Sequence, residues 1–214
     1  YLRIPMRNIL IIISLLVIII VGWKLINKSD NTNDVHQQPI KVSKHSQAFN
    51  SSVKDMLDSY YDLTESFVNW DSISVSAKAG NLTSKVDNLK LDELAKDSNG
   101  IAETAKGFLS DGSNSLDSMK VHKGITSQRE DLNSLTQNMY DFLRVVKYDE
   151  SKIYLQQCPM AFNNETEPGV WLSKIDSIRN PYMGLRHPHY GKGMIHCGET
   201  KDTLNFMRKP EKKV

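Results

Sequence analysis

Between residues 47 and 148, apolar residues recur at steps of three and four with polar residues between them. This spacing places the apolar side chains on one face of an α-helix. The pattern repeats in four successive stretches, at residues 49–67, 75–89, 101–119 and 132–146. Four amphipathic helices joined by short polar connections predict an antiparallel four-helix bundle over residues 47–148.

Local signals predict where these helices begin and bend. Asp71 or Ser72 is the expected N-cap of the second helix, because a short polar side chain can accept a hydrogen bond from the first turn. Thr126 or Ser127 is the expected cap of the fourth, with Glu130 positioned to complete a capping box. Gly112 predicts a kink or an interruption within the third helix.

An almost uninterrupted apolar run covers residues 9–26, with Lys24 as its one charged residue. Its length is close to the minimum needed to cross the hydrocarbon core of a bilayer. Arg3 and Arg7 precede it, as on a cytoplasmic flank. Because no small-residue cleavage motif follows, residues 1–27 are predicted to be an uncleaved signal anchor that exports the rest of the chain; a cleaved signal peptide is the alternative.

Residues 28–46 are polar and poor in large apolar side chains. Such a stretch buries too little surface to offset its ordering entropy, so it is predicted to be a flexible linker. His36 and His45 lie in or beside it and are expected to be solvated.

The helical pattern ends after Tyr148, and residues 149–205 are richer in glycine, proline and short apolar runs. Residues 153–157 and 170–172 are predicted to be short strands, with turns at 163–164, 168–169 and 180–184. The predicted fold is therefore mainly α: a helical bundle carrying an irregular cap with short β-strands, preceded by one transmembrane helix. Residues 206–214 form a basic tail.

The cap contains both cysteines of the chain, and each has a methionine close by in sequence: Cys158 with Met160, and Cys197 with Met194. Thiolate and thioether are soft ligands that favour Cu(I), and imidazole also suits copper. The pattern therefore predicts a site for Cu(I) or Ag(I). Further candidate ligands in the cap are Met183, His187 and His196. Methionines on helix stripes usually fill gaps in the core, which is the expectation for Met56, Met119 and Met139.

The same two cysteines could instead form one structural disulfide, because exported proteins fold under oxidising conditions. Both interpretations remain open on the residues alone. A net charge of +2 and the lack of a basic stripe argue against nucleic-acid binding. No nucleophile triad, phosphate-binding loop or metalloprotease motif is present in the sequence, so an enzyme is not expected.

Several motifs resemble a bacterial domain of unknown function that occurs alone behind an export signal or fused to the C-terminus of periplasmic adaptor subunits of copper/silver efflux pumps. The motifs lie at residues 157–161, 171–174, 178–184 and 194–199, with a similar helix at 128–140. The resemblance extends over residues 46–204.

The resemblance implies a helical bundle with a Cys/Met cap that takes part in heavy-metal handling. It favours a membrane-tethered periplasmic protein that binds Cu(I) or Ag(I), anchored in the bacterial inner membrane through residues 9–26. The implied partner is a periplasmic adaptor or pump of a heavy-metal efflux system. The alternative is a non-metal interaction module of the cell envelope, in which the cysteines form a structural disulfide.

Overall fold

Four α-helices form the first part of the described protein, as the apolar pattern predicts. The computed structural model describes residues 45–96 and 99–207. The helices are α1 Gln47–Val68, α2 Ser72–Asp87, α3 Ile101–Val121 and α4 Ile125–Val146, with a 3₁₀ helix at Asp92–Lys96 between α2 and α3. Each helix packs against the next in sequence.

Side chains at the helix ends show that α1 and α4 run antiparallel. The Asn50 amide, near the start of α1, donates to the carboxylates of Asp149 and Glu150, which follow α4. At the opposite end, the buried Gln128 side-chain oxygen near the start of α4 accepts a hydrogen bond from the hydroxyl of Ser72, which lies four residues after the end of α1. These polar contacts hold the helix ends in register.

The caps agree with the prediction for α2 but not for α4. The Asp71 carboxylate accepts the backbone N–H of Ser74, as expected. The fourth helix begins at Ile125 instead, with Gly124 as its N-cap and no side-chain cap, so the predicted capping box with Glu130 is wrong. Ile125 packs against the core. The helix begins at Ile125, before Thr126 and Ser127, and includes this core contact in its first turn.

The kink predicted at Gly112 is also wrong, because α3 is continuous from Ile101 to Val121. A Cβ atom at Gly112 would lie 3.5 Å from Leu135 Cδ1 on α4. This is an ordinary van der Waals separation, so Gly112 faces α4 from within an unbroken helix. The helical methionines Met56, Met119 and Met139 are buried in the core, as predicted.

A three-stranded antiparallel sheet follows the helices, with strand order β2-β1-β3. The strands are β1 Ile153–Phe162, β2 Glu167–Ser173 and β3 Glu199–Leu204. The first two contain the predicted strands and are longer. The turn between them lies at residues 163–166, so the turn predicted at 163–164 is confirmed, whereas the one predicted at 168–169 is wrong because these residues belong to β2. The third strand was not predicted because its sequence, ETKDTL, is polar and mostly exposed and lacks an apolar alternation.

The sheet packs on the helices through buried polar contacts as well as apolar ones. The Tyr60 hydroxyl of α1 lies 2.7 Å from Thr136 Oγ1 of α4 and accepts the backbone N–H of Leu172 in β2 at 3.1 Å. The Asn133 side chain of α4 accepts the backbone N–H of Val170 at 2.9 Å. These bonds dock β2 against α1 and α4.

The N-terminal predictions lie outside the described residues, including the signal anchor at 1–27 and the linker over residues 28–44. Among the helices that are described, none has the length and apolar content to span a bilayer. His45 is 5% exposed, so the expectation that it is solvated is wrong. Its Nδ1 lies 2.6 Å from Glu93 Oε1 and its Nε2 lies 2.7 Å from the Val146 carbonyl oxygen, which ties the start of α1 to the end of α4.

Candidate functional site

Cys158 and Cys197, which are far apart in sequence, meet in the fold. Both carry free thiols, and the Cys197 side chain is among the groups that raise the pKa of the Cys158 thiol, so the two side chains are neighbours. Cys158 is fully buried in β1, whereas Cys197 is half-buried just before β3. The pair is therefore reachable from one side and enclosed on the other.

Gly198 brings the two cysteines together. It lies between Cys197 and the first residue of β3, Glu199, which pairs with Gln157 of β1. The φ angle of Gly198 is +132°, and a Cβ atom there would lie 2.5 Å from the Gln157 carbonyl oxygen. Only glycine allows this approach and this backbone angle together. The end of the loop that carries Cys197 is thereby set against the strand that carries Cys158.

Asn180 connects the cysteine pair to the preceding turn. Its side-chain amide donates to the Cys197 carbonyl oxygen at 2.7 Å, and the same side chain favours the thiolate of Cys158. Its side-chain oxygen accepts the backbone N–H groups of Tyr182, at 2.8 Å, and Met183, at 3.0 Å. Because Asn180 is fully buried, all of these bonds are shielded from water.

The surroundings of Cys158 shift the pKa of its thiol in opposite directions. Burial raises the pKa of the Cys158 thiol, and the neighbouring Cys197 raises it further. Hydrogen bonds from the Asn180 side chain and the Met160 backbone N–H act in the other direction by favouring the thiolate. The thiol is therefore protonated at neutral pH, while N–H donors are already in place for a thiolate formed when a cation binds.

The predicted methionines occupy different environments. Met160 follows Cys158 by two residues on β1 and is half-buried, but the pairing with β2 is irregular between Cys158 and Phe162, so the predicted shared strand face is not established there. Met194 is linked to Cys197 by a tight turn, in which the Cys197 N–H donates to the Met194 carbonyl oxygen at 3.0 Å. Met183 is 1% exposed and belongs to the hydrophobic core. The turn that would allow Met194 and Cys197 to converge is thus present.

The two predicted histidine ligands differ in whether a ring nitrogen keeps a lone pair that could bind a cation. His187 Nδ1 accepts the backbone N–H groups of His189 and Tyr190, so the neutral ring carries its hydrogen on Nε2 and has no free lone pair. His196 is exposed, and its Nδ1 lies 2.8 Å from the Ile178 carbonyl oxygen. Since Nδ1–H must donate there, Nε2 of the neutral ring keeps a free lone pair.

Neither histidine completes a cluster with the cysteines. Across residues 45–96 and 99–207, no group of three or more His, Cys, Asp or Glu residues is arranged to hold a metal ion. A cation at the cysteine pair would therefore be held by two thiolates, with methionine thioethers as the remaining soft donors.

Arg129 of α4 is a charged neighbour that the sequence prediction missed. The residue is 6% exposed, and its guanidinium lies 3.9 Å from the centre of the Trp70 ring. It also interacts electrostatically with Tyr182 and Cys158, and burial lowers the pKa of Arg129 to about 10, which leaves it charged at neutral pH. The available signal was its position three residues before Leu132, in line with the apolar stripe of α4.

Replacing Asn180 with leucine, which has a similar volume, should lower the free energy of unfolding by about 2–4 kcal/mol. The substitution leaves buried partners of the amide without hydrogen bonds, and each such group costs roughly 1–3 kcal/mol. Denaturant unfolding of the reduced protein measures the change. Leucine at the exposed Asn81 of α2 is the control, with an expected change within about 0.5 kcal/mol. Equal effects at the two positions would contradict the anchoring role of Asn180.

Comparison with known proteins gives one match. Residues 56–151 match the model of a family described as a protein of unknown function, DUF3347. The match covers most of the four helices and ends before β1, so both cysteines lie outside it. Neither the curated proteins nor the solved structures give a significant match. The chain therefore carries a DUF3347 domain over residues 56–151.

Proposed function

We propose that this protein binds one soft monovalent cation, Cu(I) or Ag(I), between Cys158 and Cys197, as a binding protein rather than an enzyme. The role is accessory to heavy-metal efflux or homeostasis in the bacterial envelope. Residues 9–26 tether the chain to the inner membrane, and the helices and sheet lie in the periplasm. The partner is an adaptor or pump of an efflux system.

The observation that carries the proposal is the contact between two free thiols from distant parts of the chain. Thiolate sulfur selects soft cations. Structural zinc sites use four ligands, usually cysteine and histidine, and no described group of three such residues is available here. The donor set at Cys158 and Cys197 therefore suits a cation that accepts a low coordination number.

The second candidate is an interaction module of the envelope in which the same cysteines form a structural disulfide. The proximity of the two thiols favours it equally, and an exported protein meets an oxidising environment. The disulfide forms by transfer of two electrons and two protons to a disulfide-class oxidant. Its formation removes both thiolates, so the two functions make opposite predictions for the reduced protein.

A competition titration tests the proposal. The full chain, purified in detergent with a reductant, is titrated with Cu(I) in the presence of a colorimetric Cu(I) chelator. One Cu(I) per chain should be withdrawn from the chelator, and oxidation with oxidised glutathione beforehand should abolish the withdrawal. If the reduced protein leaves all Cu(I) on the chelator, the metal proposal is wrong. An intramolecular disulfide detected by mass spectrometry would then favour the interaction module.

A further inference from the structure

Arg129 places a buried positive charge that acts electrostatically on Cys158 and Tyr182, without a matching negative charge among the described residues. Its Nε and Nη2 atoms are buried, and neither has a hydrogen-bond partner among the described residues. Within this part of the chain, it is also the only buried residue among Lys, Arg, Asp and Glu. A buried, unpaired charge is costly, because the lost hydration is not replaced. Stacking on Trp70 orients the guanidinium but satisfies neither nitrogen.

The groups that face Arg129 carry no negative charge in the metal-free protein. Burial raises the pKa of Tyr182 well above its usual value, so its ring is neutral. Burial and Arg129 itself lower the pKa of His187, which favours the neutral imidazole. The Cys158 thiol is protonated, as described above. The nearest carboxylate that acts on His187 belongs to Glu165, which accepts a hydrogen bond from the Tyr190 hydroxyl.

The charge of the occupied site depends on the valence of the cation. Two thiolates and a monovalent cation carry a net charge of −1, which the guanidinium neutralises. With a divalent cation the same ligands are neutral, and the positive charge of Arg129 stays uncompensated. At low effective dielectric constant, this difference of one unit charge has a large effect on affinity.

We infer that Arg129 is a selectivity residue that makes the Cys158–Cys197 site prefer monovalent over divalent soft cations. The inference rests on the proposed function, since it requires a cation to bind at the two thiolates. Arg129 acts through its fixed charge and is not a ligand. The guanidinium stabilises the anionic, occupied site and opposes the binding of a second positive charge.

The test compares Ag(I) with Cd(II), two soft cations that differ in charge, on the full reduced chain and on R129L. Leucine has neither a charge nor a donor atom, whereas the thioether of a methionine could itself bind the cation. The dissociation constant for Ag(I) should rise by about 10- to 100-fold in R129L, while that for Cd(II) stays unchanged or falls. R129K keeps the charge and should keep most of the preference for Ag(I).

Removal of an exposed charge provides the control. Arg179 is exposed and pairs with the Glu65 carboxylate on the surface, so R179L should bind both cations as the unmodified protein does. R129L should also unfold at the same temperature as the metal-free parent or a higher one, because an unpaired buried charge is removed. A much lower unfolding temperature would show that the charge is paired in the folded protein and would overturn the inference.

The remaining outcomes separate the inference from the proposed function. If Ag(I) binds to the unmodified protein and the ratio of the Ag(I) and Cd(II) dissociation constants is the same in R129L, Arg129 does not set selectivity, although the metal site stands. If R129K loses the preference as fully as R129L, charge is not the cause. If the unmodified protein binds neither cation, the proposed function itself fails.

Discussion

Alanine at Cys158 should abolish tight Cu(I) binding by the reduced full chain. A single thiolate cannot replace the pair, and the loss should exceed the roughly 10- to 100-fold that follows removal of an outer-shell partner of a metal site. Because the side chain is fully buried, the substitution should also cost roughly 1 kcal/mol of folding free energy through the small cavity it leaves. The chelator competition titration measures the first effect and denaturant unfolding the second.

Two further variants make this result specific. C197A should lose Cu(I) binding to the same extent as C158A, because the two thiolates act as one site. Met207 is an exposed methionine that is not among the predicted ligands, so M207L should bind Cu(I) as the unmodified chain does. Retention of tight binding in either cysteine variant would mean that the cation is bound elsewhere, and the site at Cys158 and Cys197 would be rejected.

Alanine at Gly198 should produce the second large effect, a loss of about 2–4 kcal/mol in the free energy of unfolding. The φ angle of +132° is strained for any residue with a Cβ atom, and that atom would lie 2.5 Å from the Gln157 carbonyl oxygen. The clash can be relieved only by moving the loop away from β1, which separates Cys197 from Cys158. Weaker Cu(I) binding should therefore accompany the loss of stability, and both are measured on the same preparation.

A helical glycine supplies the matched control. A Cβ atom at Gly107 of α3 would meet nothing within 4 Å, and the backbone there is helical. G107A should therefore stabilise the protein by roughly 0.5–1 kcal/mol and leave Cu(I) binding unchanged. If G198A were as stable as G107A, the close approach at Gly198 would not be what joins the cysteines.

The helices could be predicted because their burial follows a simple period. The positions at three- and four-residue steps in α1 and α4 are the ones that are buried, and the methionines among them are core residues. The start of α4 and the path of α3 at Gly112 could not be predicted. Both depend on how a neighbouring helix packs, and a local signal such as a capping box or a glycine does not contain that contact.

The candidate site was predictable only in part. The softness of sulfur pointed to Cys158 and Cys197, but their contact depends on Gly198 and on strand β3, whose polar sequence carries no apolar alternation. The role of Asn180 depends on four partners spread over the cap, and that of Arg129 on partners from outside its own helix. Sequence spacing does not encode such three-dimensional neighbours.

The hydrogen bond at the Tyr60 hydroxyl affects where this chain can be truncated. It accepts a hydrogen bond from Leu172, twenty-one residues past the last position that the family model matches. A polypeptide truncated at that boundary would expose the apolar surfaces that Trp171 and Leu172 cover and would leave the phenol facing water. The segment that the family model matches therefore lacks part of the chain that covers its own apolar surface.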